Sequence, residues 1–389
     1  MYLKEVTETN FIKEFHKTPR ILYNNDTNWI PHIEKDIEKK FHKKTNKLYD
    51  GTNAKRWILF NEKNHLIGRI AAWIHPKYFK KFQQPTGGIG FFECINKQEA
   101  ANMLFDTAKN WLKEKGAEAM DGPINFGEKD QFWGLLIKNF SAPSTYGMNY
   151  NPFYYKTLFE NYGFKVYFNQ YMYHRMMTDP AQEVFVKKAN ILNQDSKFEC
   201  RNIRNITIKQ AAKDFAEVYN DAWGHTRKNF KKTDWQTIYK MFKAMKPVFD
   251  PDIVIFAFYD NRPIGMYINL PELNQIFKYL NGKMNVIGKL KFLWYKMLKT
   301  PTTMYGLVFG VTHDFHGKGV EGAMIKFAEE TIVPLNRYKD TVLTWIGDFN
   351  PKMITVCKNL GAKQYRTFAT YRYLFDRTKS FERASINFS

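Results

Sequence analysis

The amino-acid sequence predicts an α/β (α+β) protein made of two tandem halves, each a mixed, mostly antiparallel sheet flanked by helices. Two observations support this fold class. Apolar runs rich in β-formers alternate with segments of helical periodicity along the chain. An Asn-Pro pair that leads a helix ending in glycine, followed by an aromatic strand, occurs in residues 151–175 and again in residues 350–375. The two copies lie about half a chain apart, as an internal duplication would place them.

The chain has 389 residues, which is long enough for two domains. We expect a first domain over residues 1–180, a connection over 181–205 and a second domain over 206–389. The second domain contains a basic, aromatic insertion at residues 271–303. Loops of this length are often functional, so the insertion is interpreted either as an amphipathic lid over an acceptor site or as a packed excursion.

The first half opens with a polar segment of helical tendency up to residue 47. A hairpin follows, with strands predicted at residues 56–60 and 65–74, and a third strand is predicted at 87–94. An amphipathic helix then runs to Gly116. The turn before this helix contains no glycine, so we expect the first half to bind no pyrophosphate.

The second half is predicted to begin with a strand from Ile206, followed by a helix that contains Phe215 and Trp223. A hairpin is expected at residues 253–258 and 263–270, joined by a Tyr-Asp-Asn-Arg turn. The layout of the second half thus repeats that of the first, with the insertion added after the hairpin.

The most informative segment is residues 305–322. It opens as an apolar run at 307–311, passes through a basic turn with three glycines, and continues as a helix that Pro334 ends. The glycines are Gly317, Gly319 and Gly322. Because glycines allow backbone N–H groups to converge and a helix N-terminus adds positive potential, this segment predicts an anion site.

The order of these motifs resembles the GNAT family of acyl-CoA N-acyltransferases. The resemblance rests on His316-Gly317-Lys318-Gly319 before one helix and on Asn350 with Leu360-Gly361-Ala362 around the next. Phrases such as Gly-Pro-Ile-Asn-Phe and Tyr-Asn-Pro-Phe-Tyr-Tyr extend it over nearly the whole chain, toward an uncharacterised bacterial tandem-GNAT family. The resemblance implies that acetyl-CoA or another acyl-CoA binds the second half, through Phe309, Val311, His316, Gly317, Lys318, Gly319, Glu321, Gly322 and Asn350.

The chain departs from the family pattern at three positions. His316 replaces a Gln or Arg, Glu321 replaces a Gly or Ala, and Cys357 occupies the position of a Tyr that reprotonates the leaving thiolate. Cys357 is therefore a candidate acid, or a small buried helix residue. The candidates for a general base are Asp348, Glu272 and His313. Their alternatives are a helix cap for Asp348 and a solvated surface position for Glu272 and His313.

Composition bears on partners and compartment. The chain has 59 Lys and Arg against 38 Asp and Glu, a formal charge of +21, which favours anionic partners or reflects a lysine-rich surface. The expected acceptor is a small-molecule or peptide amine, and tRNA is a further possible partner. Alternative functions are an aminoacyl-tRNA-dependent transferase and a non-catalytic ligand-binding or scaffold protein. Three scattered cysteines, no signal peptide and no membrane span predict a cytoplasmic protein without a metal site, and the oligomeric state stays open.

Overall fold

The computed structural model describes residues 1–76, 79, 84–126, 131–224 and 230–384. Within these residues all strands belong to one sheet, in the order β1-β2-β3-β4-β5-β13-β7-β12-β11-β10-β9-β8, with β6 beside β13. The strands are β1 Tyr2–Glu5, β2 Ala54–Phe60, β3 Leu66–Trp73, β4 Thr86–Cys94, β5 Ala119–Gly122, β6 Leu135–Lys138, β7 Lys165–Met176, β8 Phe198–Asn202, β9 Val254–Tyr259, β10 Arg262–Pro271, β11 Thr303–Val311, β12 Asp340–Gly347 and β13 Lys363–Leu374. The α-helices are α1 Thr9–Leu22, α2 Glu34–Lys40, α3 Gln98–Glu114, α4 Tyr155–Tyr162, α5 Glu183–Asn193, α6 Ile208–Gly224, α7 Trp235–Met245, α8 Asn274–Phe277, α9 Val286–Met297, α10 Val320–Ile332 and α11 Pro351–Asn359.

The sheet consists of two equivalent runs of strands. One run is β1 to β5 followed by β13, and the other is β8 to β12 followed by β7. Each run contains one parallel pair, β4 with β5 and β11 with β12, while the other neighbours are antiparallel. The structure therefore confirms a mixed, mostly antiparallel arrangement in two matching parts, flanked by helices.

The two halves of the sequence exchange their last strands. β7 ends the first half in sequence but pairs with β12 of the second half. β13 ends the second half but pairs with β5 of the first. The exchanged strands also pair with each other, from Lys363 opposite His174 to Arg372 opposite Lys165. A boundary at residues 181–205 therefore divides the sequence but does not separate two sheets.

Polar contacts join each exchanged strand to its neighbour from the other half. Arg372 of β13 donates two hydrogen bonds to Asp121 of β5, at 2.7 and 2.8 Å. His174 of β7 lies 2.7 Å from Asp340 of β12, measured from Nε2 to Oδ2. Directed contacts of this kind add register specificity to the backbone pairing of the strands.

Three apolar cores cover the faces of the sheet. The first lies under α3 and α4, where the Phe92 and Phe105 rings stack at 4.7 Å. The second lies under α5 and α10, and the third lies under α6 and α7. The helical periodicity of the sequence correctly marked the buried faces of α3, α6 and α10.

One local prediction was wrong. The strand expected from Ile206 lies at Phe198–Asn202 instead, inside the expected connection, where it pairs with β9. The helix that the Asn151-Pro152 pair leads begins at Tyr155 and ends at Tyr162, before Gly163, as predicted. The Asn151 side chain does not cap it, because its Oδ1 accepts from the Leu136 N–H at 2.8 Å and so fastens β6. Asn350 does cap α11, accepting from the Met353 N–H at 3.2 Å.

The shared sheet predicts that the two halves unfold together. Phe368 of β13 is fully buried and packs in one cluster with Leu136, Met172 and Val342, which come from both halves. We expect Phe368→Ala to lower the free energy of unfolding by about 3–5 kcal/mol, because it leaves a cavity in this cluster. Denaturant unfolding followed by circular dichroism and by tryptophan fluorescence should show one coincident transition that moves as a whole.

Phe153→Ala is the matched control for that measurement, because the Phe153 side chain is 73% exposed. Its effect on the free energy of unfolding should be small. Two separate transitions, of which Phe368→Ala moves one, would contradict the coupling of the halves.

Candidate functional site

Two clefts open where the parallel strands part. The first cleft is the gap between β4 and β5, which pair only from Thr86 to Gly88. The second cleft is the gap between β11 and β12, which pair only from Thr303 to Gly306. At the first cleft the Ile124 N–H, just after β5, still donates to the Ile89 carbonyl of β4 at 2.8 Å. At the second cleft β11 and β12 do not pair beyond Gly306, which leaves room for an extended ligand beside β11, as in other modes of strand addition.

A β-bulge lies next to each cleft. On β4, two residues stand opposite one between the Arg69 and Ala71 pairings, and Phe91 has a φ of 47°. On β11, the register shifts between its pairings with Ile268 and Asn269 of β10. A bulge re-aims backbone N–H groups away from the ladder of the sheet.

The second cleft ends at a glycine loop, defined here as residues 312–319. The loop joins β11 to α10, and Gly319 is the N-terminal cap residue of the helix with a φ of 95°. No side chain caps this terminus, so the first N–H groups of α10 lack an intrahelical partner. Gly317 has a φ of 72° and open space where a Cβ would lie. Two of the three glycines in the predicted anion site therefore lie at positive φ, next to the N-terminus of a helix.

Helix α5 packs against this loop. A Cβ on Gly319 would lie 2.7 Å from the Lys188 backbone, and one on Gly322 would lie 2.9 Å from the Phe185 carbonyl oxygen. Both glycines are therefore buried under α5. The Lys188 ammonium donates to the Gly317 carbonyl at 3.2 Å. The accessible part of the loop is residues 313–318, and the Lys188 ammonium lies beside Gly317.

The other residues predicted to bind the cofactor are spread along the second cleft. Phe309 and Val311 lie on β11 beyond its last pairing with β12. The His316 ring nitrogen Nε2 lies 2.9 Å from the Val311 carbonyl oxygen, which orients the start of the loop. Glu321 lies in the first turn of α10, where a carboxylate is favoured by the helix dipole. The Asn350 side chain is engaged in capping α11.

The four candidate catalytic residues do not come together. Cys357 is fully buried, and burial raises the pKa of its thiol to about 12. Asp348 accepts hydrogen bonds from the Asn169 N–H at 3.0 Å and from Arg383 at 2.6 Å, so it holds β7 and the C-terminal segment. His313 lies at the glycine loop, where its N–H donates to Asp221 at 2.6 Å. Its ring lies 5.5 Å from that of His316.

Glu272 lies at the opposite end of β11. Its N–H donates to the Thr303 carbonyl, and the nine residues from Thr303 to Val311, eight steps along the strand, span about 26 Å. The Glu272 carboxylate is buried between the halves and accepts from the Tyr146 and Asn274 N–H groups, at 2.8 and 2.9 Å. Its second oxygen has no hydrogen-bond partner among the described residues. The expectation of a solvated Glu272 is therefore wrong.

A polar cluster that was not predicted from the sequence fills the first cleft. Glu93 of β4 accepts hydrogen bonds from the hydroxyls of Tyr23, at 2.6 Å, and Tyr155, at 2.9 Å. The Arg69 guanidinium lies 3.4 Å from its other oxygen. Burial raises the pKa of Glu93, and Arg69 and the two hydroxyls oppose that rise. The signal was present, since Glu93 and Arg69 are single charged residues inside apolar strands.

A small cavity remains beside this cluster. Its volume is about 40 Å³, room for a few water molecules. It is lined by Arg20, His32, Glu34, Glu93 and Tyr155, among others. Burial and the nearby Arg69 lower the pKa of His32 to about 4, so its imidazole is neutral at physiological pH. The first cleft is thus filled by protein side chains, whereas residues 307–310 along the second cleft are partly exposed.

Comparison with known proteins gives relatives over nearly the whole length. No family model matches the chain. It is 25% identical to "Protein YghO" of Escherichia coli over 370 residues, which cover 93% of this chain and 92% of that protein. It is also 25% identical to "Bacterial ceramide synthase" of Caulobacter vibrioides over 371 residues, covering 92% of this chain and 94% of the relative.

Solved structures share the fold at lower identity. A tandem GNAT protein from the clavulanic acid biosynthesis pathway has a TM-score of 0.55 and 10% identity, covering 97% of this chain and 100% of that one. The glucosamine N-acetyltransferase region of a fungal multi-domain β-N-acetylglucosaminidase also has a TM-score of 0.55, at 12% identity over 96% of this chain. This chain spans 38% of the length of that fungal protein. The chain therefore has the GNAT fold in tandem, as the sequence predicted.

The buried Glu272 makes the stability of the protein depend on pH. Burial raises the pKa of Glu272 from its ordinary value of 4.5 to about 7, against the hydrogen bonds from Asn274 and Tyr146. The folded state therefore binds this proton more tightly than the unfolded state. The resulting stability is fully present below about pH 4.5 and is lost as the pH rises through about 7, a change of about 3 kcal/mol.

We expect Glu272→Gln to remove this contribution. The measurement is the free energy of unfolding in urea, for wild type and variant, at about pH 4 and pH 8. Between these pH values the wild type should lose about 3 kcal/mol relative to the variant. Glu62→Gln serves as the control, because the Glu62 side chain is 92% exposed. A parallel pH profile for wild type and Glu272→Gln would show that Glu272 ionises normally in the folded protein.

Proposed function

We propose that the protein is an N-acyltransferase that moves an acyl group from an acyl-CoA to an amine. The observation that supports this most is the partly exposed second cleft, which ends at a glycine loop. Both features lie in a fold whose solved neighbours include N-acetyltransferases. The transfer forms a C–N bond and breaks the C–S bond of the thioester, so the amine loses a proton and the thiolate gains one.

In this proposal the coenzyme lies along the second cleft. The Gly317 N–H group and the Lys318 and Lys188 ammonium groups are the proposed partners for its phosphates, because the Lys318 N–H already donates to the Phe315 carbonyl at 3.3 Å. The unpaired edge of β11 beyond Gly306 would hold the pantetheine by backbone hydrogen bonds. N–H groups at the adjacent bulge would polarise the thioester carbonyl. When bound, the acyl-CoA supplies the activated acyl group.

The relative named a bacterial ceramide synthase suggests the class of acceptor. A ceramide is the N-acyl derivative of a long-chain amino alcohol, so the reaction named there is amide formation on a lipid amine. We propose a long-chain amine as the acceptor of this protein too. An amine of this class presents one reactive nitrogen and a long apolar chain, so apolar burial would contribute much of its binding.

The direct test incubates the full-length protein with an acyl-CoA and a long-chain amino alcohol such as sphinganine. Thiol release should require both substrates, and mass spectrometry should detect the N-acyl product. Acetyl-CoA and a long-chain acyl-CoA are compared in parallel to identify the donor. Absence of thiol release with every pair, together with no thermal shift on adding coenzyme A, would overturn the proposal. Salt-sensitive binding of tRNA in place of coenzyme A would indicate a tRNA-dependent transferase.

The exposed lysine of the glycine loop allows a sharper prediction. Lys318→Glu reverses a charge at the proposed phosphate site without disturbing a buried contact, because Lys318 is exposed. We expect the KM for acyl-CoA to rise by about tenfold or more, the factor equivalent to about 1.4 kcal/mol. Lys115→Glu, at the exposed end of α3, makes the same charge change in the first half and should leave this KM unaltered. Equal KM values for the two variants would place the phosphates elsewhere.

Substitution of Glu321 is expected to change the KM for acyl-CoA in the opposite direction. The Glu321 carboxylate lies in the first turn of α10, beside the proposed phosphate site. Glu321→Gln keeps the size of the side chain and removes the repulsion, so we expect the KM for acyl-CoA to fall by about threefold to tenfold. Steady-state kinetics at low and high salt provide the measurement, since salt should reduce the difference. A rise in KM would show that Glu321 supports the site.

A further inference from the structure

The insertion at residues 271–303 ends in a helix whose outer face is apolar. Helix α9 exposes a continuous set of large apolar side chains, each between 54% and 74% exposed. They are Val286, Ile287, Leu290, Leu293, Trp294, Met297 and Leu298. At 100° per residue these seven positions fall within an arc of about 140° on one side of the helix. Soluble proteins rarely leave so much contiguous apolar surface uncovered.

The opposite side of α9 is attached to the protein. Phe292 is buried, with its ring 5.9 Å from that of Phe277 in α8. Tyr295 stacks on Tyr279 at 4.1 Å. The Lys296 ammonium donates to the Pro247 carbonyl. The helix is therefore held in place by one face, and its apolar arc points away from the core.

The charge around this arc has one sign. Lys289 and Lys291 flank it, at about 40° and 20° from its two edges on a helical wheel. No Asp or Glu occurs in residues 273–313, while six lysines do: Lys278, Lys283, Lys289, Lys291, Lys296 and Lys299. An apolar strip with tryptophan, bordered by lysines and free of carboxylates, is complementary to an anionic lipid surface.

We propose that α9 docks the protein on an anionic membrane surface, lying in the plane of the interface. Its 12 residues measure about 18 Å, which is too short to cross a bilayer. Among the described residues, no helix has both the length and the apolar character of a membrane span. The apolar arc enters the boundary between headgroups and acyl chains, Trp294 lies at that boundary, and the flanking lysines contact lipid phosphates.

The docked helix is tied to the first half beside its cavity. The loop that leads into α9 contacts Arg20, which donates to the Asn281 carbonyl at 2.8 Å. The Glu34 N–H donates to the Gly282 carbonyl at 2.9 Å. Both Arg20 and Glu34 line the cavity next to Glu93. Membrane docking through α9 would therefore fix the orientation of both halves relative to the bilayer. This inference does not rest on the proposed acyl transfer.

The test is sedimentation of the full-length protein with vesicles of phosphatidylcholine containing about one third phosphatidylglycerol. We expect binding that weakens as salt is raised. The double variant Leu290→Glu, Leu293→Glu should bind at least tenfold more weakly, because it places two charges in the apolar arc. Lys289→Gln and Lys291→Gln should each weaken vesicle binding roughly fivefold. A variant that carries both substitutions should show little preference for anionic lipid. In wild type, vesicles should shift tryptophan emission to the blue, and Trp294→Phe should reduce that shift.

The matched control is the double variant Phe153→Glu, Ile191→Glu, whose positions are 73% and 70% exposed but lie outside α9. It should bind vesicles like wild type. Circular dichroism confirms that both double variants are folded. Equal binding by both would overturn the proposal, as would absence of binding to anionic vesicles. Dimerisation in lipid-free solution that the α9 variant abolishes would instead identify a second copy of the chain as the occupant and would also overturn it.

Discussion

The structure depends on the pairing of β7 with β13 at the centre of the sheet. Each strand comes from one half of the sequence and completes the run of strands of the other. Their pairing extends over nearly the full length of both strands, and it includes a hydrogen bond of 2.9 Å between the buried Gln170 and Thr370 side chains. An edge strand left by removing either one would expose a long unpaired ladder. The halves therefore share one continuous sheet.

The two clefts of the shared sheet differ in what occupies them. The duplicated fold contains the same pair of diverging parallel strands twice, and the gap between the strands differs in the two copies. In the first cleft, Glu93 is satisfied by three donors, which offsets the cost of burying a carboxylate. In the second, the strand edge is partly exposed and leads to the glycine loop. Side chains thus fill the first half at the position where the strand edge of the second half is partly exposed.

Two peripheral elements modify the second half. Helix α5 covers Gly319 and Gly322 and brings Lys188 to the glycine loop, so the loop is shaped by a segment that precedes the second half in sequence. The insertion carries α9, which is fastened on one face and apolar on the other. Part of the positive charge lies at two places, the rim of the loop with Lys188 and Lys318 and the border of the apolar face of α9 with Lys289 and Lys291. The positions of these lysines are more informative about binding partners than the net charge of the chain.

The sequence alone determined the fold class, because periodicity, caps and glycine turns are local. Gly319 at a positive φ, Asn350 as a helix cap and the apolar faces of α3 and α10 were all readable from neighbouring residues. Only the tertiary structure decided the strand exchange, because β7 and β13 each pair with a strand that lies more than 150 residues away in the sequence. It also decided that Glu272 is buried beside Tyr146, that Glu93 meets Tyr23, and that α5 covers the loop. These contacts join residues more than sixty positions apart, and no local pattern encodes which distant group will occupy a given space.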